Sequence, residues 1–345
     1  MSWRLLHGDC IAVMSEIEQE SVQACVTSPP YWGLRDYGRD GQIGLEGTID
    51  AYVSAMVSVF DAVWRVLRDD GVVWLNLGDT YAGGSSGKVN NASSNLNGGL
   101  ATQAAAASVV HRRQGVRTKN LCGIPWRVAL ALQSYGWTLR QCVIWHKPNA
   151  MPEPVRDRPS CDHEYIFLLS KSSRYYYDGA AIGEQVKHKR SGAAFGCGCA
   201  RIGARDGSFV GSGGRKYAGN VYNSDSLSYK NKRSVWSVCT KPHSGAHFAV
   251  MPEGVATPCV LSGSAVGDLV MDPFSGSATV GAVAVKNGRN YVGIDLNEEY
   301  IDLARERLSA AEQSAGVANR LTPGQHVQYG LFGCDESGGV LCLKT

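Results

Sequence analysis

Two kinds of hydrophobic pattern alternate along the first half of the chain. Short β-type runs cover residues 5–6, 24–26, 72–77, 140–145 and 165–169, and apolar residues at helical spacing cover residues 48–67 and 125–135. Each pattern repeats the spacing of the element it predicts. The alternation is typical of a parallel sheet with helices packed on it.

The same alternation resumes near the C-terminal end. A strand is predicted over residues 268–271, followed by a Gly/Ser turn, a helix to about residue 287, a strand over 291–294 and a helix over 298–311. Because both ends of the chain contribute strands, we expect one α/β domain with a doubly wound, mostly parallel sheet.

Two long segments interrupt the pattern. Residues 82–119 are rich in Gly, Ser, Asn and Ala and are predicted to be an inserted loop, whereas residues 181–235 are rich in Gly, Ser, Lys, Arg and Tyr and are predicted to be an inserted lobe. The expected organisation is therefore a first half of the domain over 1–180, the insert over 181–235, a second half over 236–311 and a surface tail over 312–345.

The composition indicates the cellular compartment in which the protein is expected. The chain has 345 residues and eleven cysteines, an odd count that indicates reduced thiols better than a disulfide framework. Its apolar runs are too short to span a membrane, and its first residues do not resemble a secretory signal, so we expect a cytoplasmic location. One-residue spacings such as Cys161-x-His163 differ from those of zinc sites, and no metal is expected.

The net charge of +3 is small, but the basic residues are clustered. Such clusters can contact phosphates, although a solvated basic surface is the plain alternative. The candidate residues for such phosphate contacts are Arg112, Arg113, Arg117, Lys119, Arg215, Lys216, Lys232 and Arg233.

The most informative segment is Ser28-Pro29-Pro30-Tyr31, directly after a buried-type strand. Two prolines stop the strand and stiffen the turn. The amine of an aromatic base is a poor nucleophile because its lone pair is delocalised into the ring. Two acceptors on its hydrogens, here the Ser28 hydroxyl and the Pro29 carbonyl, would localise that pair, and Tyr31 could stack on a base flipped out of a duplex.

A second motif follows the insert. The strand ends at Asp272, and the small-residue turn Pro273-Phe274-Ser275-Gly276-Ser277 leads into a helix, where backbone amides can approach a ligand. Asp295 ends the next strand, in the position from which an acid commonly binds the ribose of an adenosine cofactor. Since the turn lacks G-x-G-x-x-G, the pattern favours S-adenosylmethionine over NAD.

Together these motifs resemble the β class of DNA amino-methyltransferases, in which the catalytic turn precedes the insert and the cofactor turn follows it. The resemblance implies that Asp9 meets the cofactor's adenine, that the segment around His247 covers its methionine end, and that Asp295 binds its ribose. It also implies that residues 181–235 recognise the target in double-stranded DNA and that the protein forms a homodimer. Many adenine-specific relatives carry Asp where this chain has Ser28, so both adenine N6 and cytosine N4 remain open as targets.

Several alternatives accompany this interpretation. A methyltransferase for an RNA base or a protein amide would also suit a Pro-Pro-Tyr turn, and a non-catalytic DNA-binding protein is a rival of another class. Cys259 resembles the nucleophile of cytosine C5 enzymes but precedes the cofactor strand, which argues against that role. For Asp162, His163 and Glu164 we favour entry into the strand at residues 165–169 over acid–base chemistry. Residues 76–79 either border the cofactor or form an ordinary turn.

Overall fold

The structure is a computed structural model that describes residues 2–34, 36–82, 116–185, 209–210, 216–217, 229–240 and 251–321. Its chain divides into two compact units, one made of Met1–Asp178 with Ser234–Thr345 and the other of Gly179–Arg233. Among the predicted site residues, Arg112, Arg113, Arg215 and His247 lie outside the described residues, and only the backbone of Lys216 is described.

An eight-stranded sheet forms the centre of the larger unit. Its strands stand in the order β1-β12-β11-β2-β3-β5-β4-β10. Their bounds are β1 Trp3–His7, β2 Val22–Thr27, β3 Leu67–Leu77, β4 Thr138–His146, β5 His163–Ser170, β10 Val235–Ser237, β11 Leu269–Asp272 and β12 Asn290–Asp295. All neighbouring pairs are parallel except the two that involve β5. The predicted mostly parallel sheet is confirmed.

The direction of the strands determines where side chains can meet. Because β5 is antiparallel to both β3 and β4, these two strands run in the same direction. The carboxyl ends of β2, β3, β4, β11 and β12 therefore lie at one edge of the sheet, together with the start of β5. We call this the carboxyl edge, and in open α/β sheets it is where ligands bind.

Helices cover both faces of the sheet, as expected for a doubly wound fold. Their bounds are α1 Cys10–Met14, α2 Ile49–Val66, α3 Ile124–Tyr135, α4 Glu253–Gly263, α5 Thr279–Lys286 and α6 Glu298–Leu321. One apolar cluster includes Tyr52 of α2 and Val128 of α3, and the other includes Val255 of α4 and Val283 of α5. None of the helices in the described part of the chain is long and apolar enough to span a membrane.

Two predicted boundaries are wrong. The last helix does not end at Ala311 but continues to Leu321, so residues 312–321 are not part of a tail. Ala311 is buried and the Trp3 indole donates to the Glu312 carboxylate at 3.1 Å, which attaches this extension to β1. The predicted insert over 181–235 also ends two residues too late, since the smaller unit covers Gly179–Arg233 and Val235 pairs with Ile144 as the first residue of β10.

The smaller unit carries short antiparallel pairs. β6 Glu184–Gln185 pairs with β9 Tyr229–Lys230, and β7 Phe209–Val210 pairs with β8 Lys216–Tyr217. The Glu184 carboxylate forms ion pairs with Lys230 at 3.4 Å and with Arg233 at 3.0 Å. These contacts lower the pKa of Glu184, and the backbone N–H of Arg233 contributes most to that shift.

Candidate active site

A cavity of about 1140 Å³, which includes space open to solvent, lies at the carboxyl edge. Small molecules and cofactors commonly bind in concave sites at the carboxyl ends of the strands of an open α/β sheet. Most of the predicted cofactor and catalytic residues line it together, namely Asp9, Ser28, Pro30, Asp272, Pro273, Phe274, Ser275, Gly276, Ser277 and Asp295.

The turn after β11 is held from within. Asp272 Oδ1 accepts from the Thr27 hydroxyl at 2.7 Å and from the Phe274 N–H at 3.0 Å, which ties the end of β11 to the end of β2. Burial raises the pKa of Asp272, these two hydrogen bonds lower it and the nearby Asp295 raises it, and the resulting pKa is about 7. A cation bound beside Asp272 would stabilise its ionised form.

Asp295 closes the same turn from β12. Its Oδ2 accepts from the Gly276 N–H at 2.8 Å and its Oδ1 accepts from the Asn297 N–H at 2.8 Å. Gly276 has a φ of +50°, in the left-handed region that favours glycine. Burial raises the pKa of Asp295, and its two amide hydrogen bonds lower it.

A second wall of the cavity was missed by the sequence analysis. Tyr37 and Tyr300 meet edge to face with ring centroids 6.5 Å apart, and the Arg39 guanidinium donates to the Asn297 amide oxygen at 2.9 Å. Gln42, also in this wall, accepts from the Tyr37 N–H at 2.8 Å. No motif marks this loop. Its only signal is its position directly after the Ser28–Tyr31 turn.

The Ser28–Tyr31 turn is fixed by the helix that follows it. The Pro30 carbonyl accepts from the hydroxyl of Tyr52 on α2 at 3.0 Å, and the Trp32 indole donates to the Glu46 carbonyl at 3.1 Å. Tyr52 and Trp32 are both buried in the core. Pro29 is buried and is not among the residues that line the cavity, and its carbonyl accepts no hydrogen bond from the described residues.

A network of side chains joins this turn to β3 and β5. The Ser28 hydroxyl donates to the Tyr31 oxygen at 3.2 Å, and the Tyr31 hydroxyl donates to Glu164 Oε2 at 2.6 Å. The Asn76 amide nitrogen lies 3.3 Å from Ser28 Oγ, 2.6 Å from the Tyr31 oxygen and 2.8 Å from Glu164 Oε2, so its two hydrogens are shared among three acceptors. Burial, together with Glu164, raises the pKa of Tyr31 well above its ordinary value, so the phenol stays neutral.

Glu164 is the residue of this network that sequence reasoning set aside. It does enter a strand as predicted, as the second residue of β5, yet its carboxylate is directed to Tyr31 and Asn76. The Lys147 ammonium pairs with its Oε1 and lies 4.6 Å from the centroid of the Trp145 ring. Glu164 and its partners Tyr31, Asn76 and Lys147 are far apart in the sequence. The order of the strands in the sheet brings them together at the carboxyl edge.

Residues 76–79 divide between two roles. A Cβ atom on Gly78 would lie 2.6 Å from Cε2 of Tyr31, so the backbone of β3's end packs directly against the tyrosine ring. Asp79 is not among the cavity residues. Its Oδ1 accepts from the Ile124 N–H at 3.0 Å, which holds the start of α3. Asp79 is therefore a structural turn residue.

The described basic candidates form ion pairs or lie exposed. Lys119 pairs with Asp157 at 2.5 Å, and Arg117 is exposed next to it. Around them, the Ala82 N–H donates to the Asn120 carbonyl at 2.7 Å, which closes the base of the 82–119 insertion. Arg233 pairs with Glu184 within the smaller unit, where Lys232 is partly exposed.

A doubly wound sheet that brings the Ser28–Tyr31 turn and the acidic Asp272–Ser277 turn to one cavity at its carboxyl edge agrees with the class of adenosylmethionine-dependent amino-methyltransferases. The family model for DNA methylase matches residues 22–306. M.Cfr9I of Citrobacter freundii, a type II methyltransferase, is 41% identical over 308 residues, which cover 89% of this chain and 88% of that protein. The chain therefore belongs to the DNA methylase family of N6-adenine and N4-cytosine enzymes.

Solved structures agree with the fold. PvuII DNA methyltransferase, which is cytosine-N4-specific, superposes with a TM-score of 0.58 at 17% identity and covers 93% of this chain and 92% of its own. A Thermus thermophilus protein in complex with S-adenosyl-L-methionine has a TM-score of 0.51 at 20% identity, and the match covers 90% of this chain and 96% of that one. The predicted DNA amino-methyltransferase is confirmed, with S-adenosylmethionine as its methyl donor and DNA as its substrate.

Proposed function

We propose that the Ser28–Tyr31 turn holds the exocyclic amine of a flipped base, adenine N6 or cytosine N4, while the Asp272–Ser277 turn and Asp295 hold the methyl donor. One observation carries this proposal: Ser28, Asp272 and Asp295 line the same cavity. Methyl transfer requires the amine and the methyl group to meet in line, and a shared cavity satisfies that requirement.

The residues of the cavity suit the donor, which supplies an electrophilic methyl group on a positively charged sulfur. Asp272 and Asp295 favour a cationic ligand in a partly dry site. Each oxygen of Asp295 accepts one backbone N–H and retains lone pairs for ribose hydroxyls. Asp9 uses Oδ1 to cap α1 and keeps Oδ2 for the adenine amine. His247 stays a prediction from the family resemblance.

The hydrogen-bond network provides a route for the proton that the reaction releases. The nitrogen–methyl bond forms as the methyl–sulfur bond breaks, and the nitrogen becomes positively charged until it loses a proton. Ser28 accepts that proton and passes its own to Tyr31, and Tyr31 passes its own to Glu164, since each hydroxyl already donates along this path. The Lys147 ammonium pairs with Glu164 and fixes the position of this final acceptor.

Three variants test the roles of the turn. Ser28→Ala removes an acceptor whose hydrogen bond with the target amine strengthens in the transition state. Turnover should therefore fall while DNA and cofactor still bind. Tyr31→Phe keeps the ring and removes the hydroxyl, whereas Tyr31→Ala removes both. We expect 2-aminopurine at the target position to fluoresce on binding to Ser28→Ala and Tyr31→Phe but weakly with Tyr31→Ala. Wild-type methylation by Ser28→Ala would refute the assignment.

The smaller unit is proposed to recognise the target sequence. Its support is its place in the chain, between the two halves of the catalytic domain, and its basic composition. The similarity to type II methyltransferases supports a role in protecting DNA from a partner restriction enzyme. The homodimer stays a prediction, and a monomer mass in light scattering would contradict it.

A further inference from the structure

The chain between β4 and β5 makes a long excursion at the carboxyl edge, directly beside the catalytic network. The Lys147 N–H donates to the Asp162 carbonyl at 2.7 Å, which closes the base of this excursion, and the Lys147 ammonium pairs with Glu164. Residues 148–161 therefore project from the point where Glu164 meets the Ser28–Tyr31 turn. We call them the 148–161 loop.

The 148–161 loop is tied to the body of the domain at several points. The Asn149 amide donates to the Thr240 carbonyl at 2.8 Å and accepts from the Thr240 N–H at 2.9 Å. The Arg158 guanidinium lies 3.8 Å from the centroid of the Tyr81 ring, and Asp157 pairs with Lys119. These contacts hold both arms of the loop against the carboxyl edge.

The loop is also stiffened from within. Glu153 accepts from Arg158 at 2.6 Å and from the Cys161 N–H at 3.2 Å, which bridges the two arms. Prolines at 148, 152, 154 and 159 restrict the backbone further. A loop held in this way presents its remaining side chains in a defined position.

Two exposed side chains of the loop, Met151 and Arg156, form no hydrogen bond or ion pair with other described residues. Met151 is 86% exposed, although a large apolar side chain gains nothing from facing water there. Arg156 is exposed and has no acidic partner among the described residues, in contrast to its neighbour Arg158. A positively charged side chain beside an exposed apolar one fits duplex DNA, which has anionic phosphates on its outside and stacked bases in its interior.

We propose that the 148–161 loop enters the DNA duplex at the flipped base, with Met151 filling the space that the base leaves and Arg156 contacting a phosphate. Methionine is one of the apolar side chains that proteins insert between base steps. The space left by the flipped base lies next to the Ser28–Tyr31 turn, and the 148–161 loop is anchored beside that turn. The inference rests on the base extrusion of the proposed function.

The test uses two synthetic duplexes that carry the sequence found methylated in DNA from a host expressing the protein. In one duplex the target base is paired with its partner. In the other duplex the target base lies opposite an abasic site, so flipping it out leaves no unpaired base on the opposite strand that would have to be supported. Met151→Ala should slow single-turnover methylation about tenfold on the paired duplex and leave it at the wild-type rate on the other. Val266→Ala is the matched control, since Val266 is 74% exposed at the opposite edge, before β11.

Each result decides the question. Wild-type rates of Met151→Ala on the paired duplex would overturn the proposal, and equal slowing on both duplexes would overturn it as well. Arg156→Gln should lower the slope of log affinity against log salt by about 1, and Arg174→Gln, beyond the other end of β5, should not change it. If the base extrusion of the proposed function is wrong, 2-aminopurine at the target position of the paired duplex does not fluoresce when the wild-type protein binds, whatever the rate of Met151→Ala.

Discussion

At the scale of single residues, Glu164 connects the Ser28–Tyr31 turn to a positively charged side chain. Its carboxylate accepts from Tyr31 and Asn76 and pairs with Lys147. These contacts orient the Tyr31 hydroxyl and, through it, the Ser28 hydroxyl. The alignment of Ser28 therefore depends on a side chain that lies more than a hundred positions away in the chain.

We expect Glu164→Gln to lower turnover about a hundredfold, because the amide keeps the shape but takes up no proton. The affinity for the cofactor should not change, since Glu164 is not among the cavity residues. Single-turnover rates and calorimetric titration with S-adenosylmethionine measure the two quantities. Unchanged turnover would show that the proton leaves by another route.

Asp272 makes stability depend on pH. Its pKa in the folded protein, about 7, lies above its ordinary value of 3.8, so its contribution to stability is complete below pH 4 and is lost as the pH rises through 7. Asp272→Asn imitates the protonated acid and keeps an acceptor for Thr27 and Phe274.

From pH 5 to pH 7, the free energy of unfolding of the ligand-free wild type should fall relative to Asp272→Asn by roughly 2 kcal/mol, at about 1.4 kcal/mol per pH unit at most. Urea denaturation at the two pH values measures this difference. A difference that does not change with pH would contradict the raised pKa.

At the scale of elements, two glycines let strand ends approach the site closely. Gly78 at the end of β3 packs on the Tyr31 ring. Gly293 in β12 faces the cofactor turn, where a Cβ atom would lie 2.6 Å from Ser275 Oγ and 2.7 Å from the Tyr291 hydroxyl. The same substitution at the two positions should therefore affect two different functions.

Gly78→Ala should displace the tyrosine ring and lower the methylation rate at least tenfold, with unchanged cofactor affinity. Gly293→Ala should disturb the hydrogen bond between Ser275 and Tyr291 and weaken cofactor binding by a similar factor. Calorimetry and methylation rates distinguish the two variants. Equal loss of cofactor affinity in both would contradict the separation of the two turns.

The elements themselves were largely predictable. Strands β2, β3 and β5 carry continuous apolar runs, and α2 has a strong helical period, so their positions follow from local patterns. Five-residue α1 and three-residue β10 are too short to show a period. The cavity wall at Tyr37 and the contacts of Glu164 depend on the order of strands in the sheet, which no local pattern contains.

At the scale of the whole molecule, the basic residues of the smaller unit are proposed to contact DNA phosphates. Neutralising Arg215 and Lys216 should lower the affinity for all sequences and reduce the slope of log affinity against log salt by about 2. Fluorescence anisotropy at several salt concentrations measures the slope, and Arg305→Gln together with Arg4→Gln is the control for charge alone. A slope identical to that of the wild type would place both residues away from the DNA.

The most direct test of the account is the chemical identity of the product. DNA from cells that express the wild type, digested to nucleosides and analysed by mass spectrometry, should contain N6-methyladenine or N4-methylcytosine, and DNA from cells that express Ser28→Ala should contain little of either. The same measurement shows which base is the target. Methyl groups at cytosine C5, or undiminished amine methylation by Ser28→Ala, would contradict transfer to an amine held by the Ser28–Tyr31 turn.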